Sequence, residues 1–313
     1  MNTGSEFRVI VSDTSGRESE LLPSFIRWRR SLESPAEGFS GRFPVSSRPG
    51  ELVSMRLQRN GGGLFEGKID TQRLSLSGDG MVLTLEARSR GGLLLDNQAT
   101  PFVYENISTQ GLFGWLIAPF GFVLVASSPR SLPEFTVRAG QTAWAAFSVF
   151  TRLTYGRVPY VSGDMVVVAP TDPGHSVIIG GRERPISRLE HIINHYRPIS
   201  RIYIRDEEGE YSTFVSNPDA PSRGIVRERF LAPSGEFASI PQWDAAARIR
   251  RSMREMERVV AELPGFHMQR PGGGVVVEHP DLFLPNRLVD ESIFTLDQNG
   301  GRTLLTLANW VYD

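Results

Sequence analysis

The chain has 313 residues, of which 40% are hydrophobic and 22% are charged, so it is long enough for two or three domains with a real core. Its formal net charge of -1 argues against broad electrostatic binding to nucleic acid or membranes. The absence of cysteine excludes disulfides, thiolate metal sites and cysteine nucleophiles. Lys68 is the only lysine. Arginine, which is favoured at protein interfaces, therefore supplies nearly all the positive charge, although codon bias in a GC-rich genome is the preferred explanation.

No secretory signal or membrane span is predicted. The first residues, MNTGSEFRVIVSDTSG, lack a basic region followed by an apolar one. The most apolar stretch, Gly111 to Ser128, is interrupted by Pro119 and Gly121. Each half of it is too short to cross a bilayer, so the stretch is predicted to be buried core.

Residues 1–90 alternate between apolar and polar side chains with a period of two. The pieces FRVIVS, GFSGRFPV, ELVSMRLQRN, LFEGKIDTQRLSLS and MVLTLEARS are separated by turn sequences, several of them rich in glycine. This pattern is typical of short antiparallel strands joined by tight turns. The stretch PSFIRWRRSLE is compatible with a further strand. The region is predicted to be a small barrel or sandwich.

Helical spacing replaces this alternation between residues 91 and 170. A helix is predicted after Asn106 and Ser108, which are both good N-cap residues, and FGFVLVAS follows it as a buried strand. A second helix is predicted over residues 140–155 with Thr142 as its cap, followed by a hairpin that turns at residues 162–164. These elements form an α/β insertion, and its apolar residues are predicted to pack against one another as a core.

The remainder returns mostly to strands. HSVIIGG, LEHIINHYRP and SRIYIRDEEGEYSTFVSN are predicted strands, with EEGE as a turn. Residues 216–238 are rich in proline, glycine and arginine and are predicted to be a long surface loop that makes intersubunit or baseplate contacts. A helix is predicted over residues 239–263, and strands with an NGG hairpin turn at residues 299–301 complete the chain.

The stretch HIINH has the spacing of a zinc-binding helix. His191 and His195 are four residues apart, but Ile192 stands where a zinc protease needs glutamate, and no third ligand is suggested nearby. If the segment is a strand, the two histidines share a face but are too far apart for one metal ion. We therefore expect no metal role for them.

Other motifs with chemical potential also favour a structural explanation. The glycine runs after Asn60 and Pro271 do not continue into a lysine and a helix, so neither is a phosphate-binding loop. The arginine-rich segment 248–258 is balanced by glutamates, and no G-x-S-x-G elbow occurs. One acidic cluster lacks the alternating ligands of a calcium loop and is predicted to be a hairpin turn: Asp206, Glu207, Glu208 and Glu210. No catalytic, cofactor-binding or metal-binding residue is predicted.

The order of these pieces resembles a known family. Its first stretch is RWRRSLESPAEGFSGRFP with LFEGKIDTQRLSLSGDGMVLTLEARSRGGLLLDNQATP, which combines a Phe-x-Gly-x-Ile-Asp strand with later Arg-Ser and Leu-Asp pairs. The second stretch is ENISTQGLFGWLIAPFGF with FTVRAGQTAWAAFSVFTRLTYGRVPYVSGDMVVVAP, and the third is PISRLEHIINHYRPISRIYIRD with a long loop after it. The fourth is QWDAAARIRRSMREMERVVAELPGFHMQ with the C-terminal strands. The chain is similar to Mu-like baseplate hub proteins of contractile phage tails, the tail protein P or late-control type. The fit departs chiefly at HSVIIGGRERPISRLEHIINHY.

This resemblance implies a β-rich α+β fold. It comprises two small antiparallel β-barrel-like domains, an α/β insertion between them and a long helix near the C-terminus. The implied limits are 1–90 for the first hub barrel and 91–170 for the insertion. The second barrel is formed by 171–238 with 275–313, and 239–274 holds the helix and a connecting segment.

The resemblance also implies a structural role without enzymatic activity or cofactors. Family members form homotrimers, and two related barrels per subunit give a ring of pseudo-sixfold symmetry that joins the tail tube to the central spike. The implied partners are the spike, the tube and tube-initiating proteins and other baseplate proteins, with no specific nucleic acid and no membrane insertion. The implied location is the virion tail baseplate or a tailocin particle, after assembly in the bacterial host cytoplasm. Two alternatives are a tail-associated cell-wall hydrolase and a secretion-type injection machine.

Overall fold

The computed structural model describes residues 6–78, 80–168, 176–233 and 241–309. Over these residues the chain is a β-rich α+β protein with twenty-one strands, four α-helices and two short 3-10 helices. The predicted fold class is therefore confirmed at this level.

Seven strands come from the first ninety residues. They are β1 (Phe7–Asp13), β2 (Glu18–Leu21), β3 (Phe25–Ser31), β4 (Gly38–Val45), β5 (Leu52–Arg59), β6 (Gly62–Ser77) and β7 (Gly80–Arg88). Burial alternates along β1, β4 and β7 because successive side chains point to opposite faces, as the period of two predicted. The stretch PSFIRWRRSLE forms β3, so the further strand is also present.

The insertion contains three helices and five strands. They are α1 (Gly92–Asp96), β8 (Phe102–Ser108), α2 (Thr109–Leu116), β9 (Val123–Ala126), β10 (Ser131–Val137), α3 (Ala143–Tyr155), β11 (Tyr160–Ser162) and β12 (Met165–Val168). Of the predicted cap residues, Ser108 and Thr142 are confirmed, because Ser108 Oγ accepts a hydrogen bond from Gly111 N and Thr142 Oγ1 accepts one from Ala145 N, each at 3.1 Å. Asn106 instead lies within β8. The predicted hairpin joins β11 to β12.

The most apolar stretch of the chain does not form one helix. It is divided among α2, a 3-10 helix (Ala118–Phe120) and β9. The prediction that β9 is buried is wrong in part: Leu124 and Ala126 pack against the insertion core, whereas Val123 is 60% exposed, because successive side chains of a strand point to opposite faces. In the described part of the chain, no helix has both the length and the apolarity needed to span a bilayer.

The C-terminal part adds nine strands and one helix. They are β13 (Val177–Ile179), β14 (Arg188–Ile193), β15 (Arg201–Ile204), β16 (Thr213–Ser216), β17 (Glu228–Leu231), α4 (Pro241–Arg254), β18 (Glu257–Pro264), β19 (Gly274–His279), β20 (Leu282–Asp297) and β21 (Gly300–Asn309). The predicted NGG turn joins β20 to β21, and the predicted acidic turn joins β15 to β16.

A single sheet of thirteen strands connects the two ends of the chain. Its pairing order is β14, β18, β21, β20, β3, β4, β7, β6, β5, β1, β2, with β19 paired to β20 and to β13. The junction is the antiparallel pair β20–β3, in which Phe294 lies opposite Trp28. Phe294 and Leu296 therefore come from the C-terminal strands but pack in the core of the N-terminal ones. The described strands pair as an open path, since β14 and β2 at its ends do not meet.

The predicted helix over residues 239–263 is too long. The helix α4 ends at Arg254, and Glu257–Pro264 forms β18 between β14 and β21. Val259, Ala261 and Leu263 are fully buried in alternation, so the sheet pairing overrides the good helix propensity of this segment. The arginine-rich segment 248–258 is accordingly divided between a helix and a strand.

The predicted surface loop over residues 216–238 contains regular structure. A 3-10 helix (Pro221–Arg223) precedes β17, which pairs in parallel with β15. The outcome is a small sheet in the order β16, β15, β17, covered on one face by α4 through Ile202, Ile204, Ala245 and Ile249. Residues 234–240, which include the end of the predicted loop and the start of the predicted helix, lie outside the described residues.

Candidate interaction surfaces

An arginine clamp fixes the N-terminal strands to the insertion. Arg88, the last residue of β7, donates two hydrogen bonds to Asp70 of β6, at 2.7 and 2.9 Å, and two to Asp96 of α1, both at 2.9 Å. These bonds raise the pKa of the Arg88 guanidinium further above its already high value, and the bond from Arg88 lowers the pKa of Asp96. The clamp therefore stays charged at physiological pH.

The clamp explains a motif in the first of the stretches that resemble the family. Asp70 ends the Phe-x-Gly-x-Ile-Asp strand, Arg88 belongs to the Arg-Ser pair and Asp96 to the Leu-Asp pair. Gly67 in the same motif must be glycine, since a Cβ there would lie 2.5 Å from the backbone oxygen of Arg88. Ser89 Oγ accepts a hydrogen bond from Glu37 N at 3.0 Å. The motif therefore builds a structural joint.

A cleft of about 920 Å³ lies between the N-terminal strands and the insertion. Its charged lining includes Lys68, the clamp residues and Asp164, which is 3.1 Å from Arg90. A glycosidase needs one carboxyl group with a raised pKa as its acid. Among the described residues, every carboxyl group whose pKa departs clearly from its ordinary value has it lowered: Asp13, Asp96, Asp206, Glu257 and Asp297. Of these five carboxyl groups only Asp96 lines the cleft, and its lowered pKa keeps it ionised at neutral pH.

The two histidines of HIINH lie in different environments. His191 is on β14, and its Nε2 donates to Glu257 Oε1 at 2.9 Å. His195 follows the strand, and its backbone oxygen accepts a hydrogen bond from Arg227. Among the described residues, no three histidine, aspartate or glutamate side chains are placed to hold a metal ion. The side-chain partner of His191 is thus Glu257 on the neighbouring strand.

Glu257 is the centre of a polar network that the sequence did not predict. Besides His191, its carboxylate accepts hydrogen bonds from Arg287 Nη2 at 2.6 Å and from Asn309 Nδ2 at 3.2 Å. Arg287 is only 7% exposed. Burial raises the pKa of Glu257, but the hydrogen bond from His191, the charge of Arg287 and the bond from Asn309 outweigh it and hold that pKa below its ordinary value. The network ties β14, β18, β20 and β21 together.

The acidic cluster forms the predicted turn between β15 and β16. Asp206 Oδ1 accepts from Glu210 N and Oδ2 accepts from Ser212 Oγ, both at 2.7 Å. These bonds, above all the one from Ser212, lower the pKa of Asp206. The other glutamates of the turn are exposed, so the cluster is a solvated, strongly negative tip.

The outer face of the small sheet carries a row of aromatic side chains. Phe214, Tyr203 and Phe230 lie side by side on β16, β15 and β17, as the strand registers require. The rings of Tyr203 and Phe230 stack at 5.2 Å between centroids, Phe214 meets Tyr203 at 5.7 Å, and Tyr211 meets Phe230 at 5.1 Å. Phe230 is 64% exposed and Phe214 is 49% exposed. We call these four residues the aromatic face.

Comparison with known proteins gives no match in sequence: no protein-family model matches the chain, and no curated protein does. Solved structures do match. The tail protein from Neisseria meningitidis MC58 is 18% identical with a TM-score of 0.77, and the match covers 97% of this chain and 96% of that one. The 43 kDa tail protein of prophage MuSo2 from Shewanella oneidensis is 14% identical with a TM-score of 0.79, over 98% and 99% of the two chains.

A third similar structure comes from a secretion system. The E. coli c3393 protein, a component of the type VI secretion system with structural similarity to T4 bacteriophage tail proteins gp27 and gp5, is 11% identical with a TM-score of 0.62. That match covers 96% of this chain and 76% of the other. Over nearly its full length the chain therefore has the fold of phage and prophage tail proteins, which confirms at the level of fold the predicted resemblance to Mu-like tail proteins.

Proposed function

We propose that this chain is a structural baseplate hub of a contractile phage tail or tailocin. In this role it forms a homotrimeric ring of pseudo-sixfold symmetry that joins the tail tube to the central spike, and it also contacts tube-initiating and other baseplate proteins. It works mechanically, without catalysis, in the virion tail baseplate after assembly in the host cytoplasm. The observation that carries the proposal is the likeness in fold to two tail proteins over nearly the whole of both chains.

The division of the chain into units supports this role. We propose that the strands of residues 1–90 form the first hub barrel, followed by the insertion over 91–170. The second barrel is built from β13, β14 and β18–β21, which share a core of their own. The small sheet with α4 has a further separate core and lies between β14 and β18 in sequence, so it is an insertion in the second barrel rather than part of it. Two related barrels per subunit give a trimer six similar units.

A binding experiment with the spike tests this function. The purified chain is mixed with the protein encoded by the neighbouring spike gene, and the mass of the complex is measured by native mass spectrometry. We expect three copies of each protein in one particle. Absence of any complex, together with cleavage of purified peptidoglycan by the chain alone, would instead support the hydrolase.

A secretion-type injection machine is the second candidate, and the likeness to c3393 favours it. In such a machine the same hub fold would hold a spike, but the particle would have no capsid. The genes around this one discriminate between the two machines. Capsid and terminase genes nearby indicate a phage, and their absence indicates a tailocin or a secretion-type system.

A further inference from the structure

The aromatic face is a large apolar surface that no element of the described chain covers. The opposite face of the same sheet packs on α4, so the sheet is covered on one face only. Phe230, Phe214 and Tyr211 are 64%, 49% and 38% exposed. Contiguous exposed aromatic side chains of this kind mark interaction sites in soluble proteins, since aromatic residues are enriched at interfaces.

The ring geometry favours a protein as the occupant. Nucleic-acid bases stack flat on the face of an aromatic ring. Here the planes of Tyr203 and Phe230 are only 14° from parallel and the rings stack on each other, while the Arg201 guanidinium lies 4.5 Å from the centre of the Phe214 ring. Each of these three rings therefore already has a face in contact within the chain, which leaves fewer ring faces for bases. Aromatic edges pack well against another aromatic side chain in an edge-to-face contact.

Opposite charges lie at the two ends of the sheet. The β15–β16 turn carries Asp206, Glu207, Glu208 and Glu210 against the single cation Arg205, and it adjoins the aromatic face through Tyr211. Tyr196, Arg197 and Arg227 lie at the other end, before the first residues of the parallel strands β15 and β17. We call these three residues the arginine end.

The arginine end is chemically complementary to the aromatic face and its acidic turn. Tyr196 is 78% exposed, and the Arg227 guanidinium covers one side of its ring at 4.8 Å from the centroid, which leaves the other side free to meet aromatic edges. Arg197 is 3.7 Å from Glu255, a surface pair too weak to prevent a second carboxylate from binding it. One copy of the chain thus carries both halves of a matched contact.

We propose that a second copy of this chain docks head to tail on the small sheet. The aromatic face and acidic turn of one copy bind the arginine end of the next, with Tyr196 against the ring edges and arginines against the turn carboxylates. Because the two surfaces differ, the contact is heterologous, and such a contact forms a ring when its rotation closes after three copies, as the proposed trimer requires. The inference rests on the proposed trimer and names the surfaces that hold it.

Two paired variants and a control test this contact. The face variant combines Phe214→Ser with Phe230→Ser, and the end variant combines Tyr196→Ser with Arg197→Glu. The control combines Trp115→Ser with Phe283→Ser, which are 71% and 63% exposed but lie on other elements. Sedimentation over a concentration series gives the mass of each protein. Circular dichroism confirms that each one is folded.

We expect the wild type and the control to form trimers. The face and end variants should each need at least about tenfold more protein for half-assembly, because buried aromatic anchors dominate interfaces. Mixed in equal amounts, the two variants should form a dimer, since each retains the surface that the other has lost.

The results that would contradict the head-to-tail contact differ from those that would contradict the trimer. If both variants keep the trimer of the wild type, the contact is wrong and the trimer stands. Variants that dissociate but stay monomeric when mixed would show that the two surfaces do not bind each other, which overturns the head-to-tail contact. A wild type that is monomeric alone at every concentration overturns the head-to-tail contact, whereas the proposed trimer is overturned only if the chain also stays monomeric when the spike is added.

Discussion

Replacing Phe294 by alanine is expected to lower the free energy of unfolding of the whole chain by about 3–5 kcal/mol. Phe294 is fully buried, and its ring lies 5.1 Å from that of Phe7 and 5.0 Å from that of Phe266. It belongs to β20, yet it fills the core of the N-terminal strands. The cavity left by Phe294→Ala therefore weakens the packing that joins the two ends of the chain.

Urea denaturation followed by tryptophan fluorescence measures this effect. Trp28 lies opposite Phe294 across the β20–β3 pair and reports directly on this core. Phe283→Ala is the matched control, because Phe283 is on the same strand but 63% exposed, and it should change the free energy of unfolding by less than about 1 kcal/mol. Equal costs for the two variants would mean that β20 does not complete the N-terminal core.

Replacing Glu257 by alanine is expected to cost about 3–5 kcal/mol of stability, because it leaves the buried Arg287 guanidinium without its carboxylate. Glu255→Ala is the matched control: this exposed carboxylate pairs with Arg251 at the surface and should contribute less than about 1 kcal/mol. Glu257→Leu combined with Arg287→Met should recover part of the loss, since removing both charges leaves neither one unpaired. Thermal unfolding at neutral pH measures all three.

The same network predicts how stability depends on pH. The pKa of Glu257 is below its ordinary value of 4.5 in the folded chain, so its ionised form stabilises the fold. This contribution is complete above the pKa of the unfolded chain and is lost as pH falls through the lower folded pKa. The difference in stability between the wild type and Glu257→Gln should therefore shrink below about pH 4.5. A difference that grows on acidification would contradict the network.

Local patterns in the sequence predicted the local elements well. The period of two in FRVIVS and MVLTLEARS corresponds to β1 and β7, and the caps Ser108 and Thr142 begin α2 and α3. These features depend on neighbours within a few residues along the chain, so one sequence contains the whole signal. The helix predicted to continue to residue 263 shows where local patterns stop being sufficient. Its last third has helix-forming residues and an alternating apolar pattern at once, and only pairing with β14 and β21 decides between them.

The surfaces were harder to predict because distant residues form them. Glu257 is 66 residues from His191 and 30 from Arg287, and nothing in the sequence links them. Tyr203, Phe214 and Phe230 meet only through the registers of three strands. One signal was available: in RIYI and TFVS the aromatic residues occupy the positions that alternate with the buried aliphatic ones. Aromatic residues at the positions of a strand that face away from the core indicate a surface that binds a partner.

The mass of the purified chain in solution tests the central claim most directly. Light scattering is measured on the chain alone and after mixing with the neighbouring spike protein. A hub either has a mass three times the 34.8 kDa of one chain when alone, or forms a complex of three chains and three spike proteins once the spike is added. A stable species of 34.8 kDa that does not change when the spike is added would contradict the account.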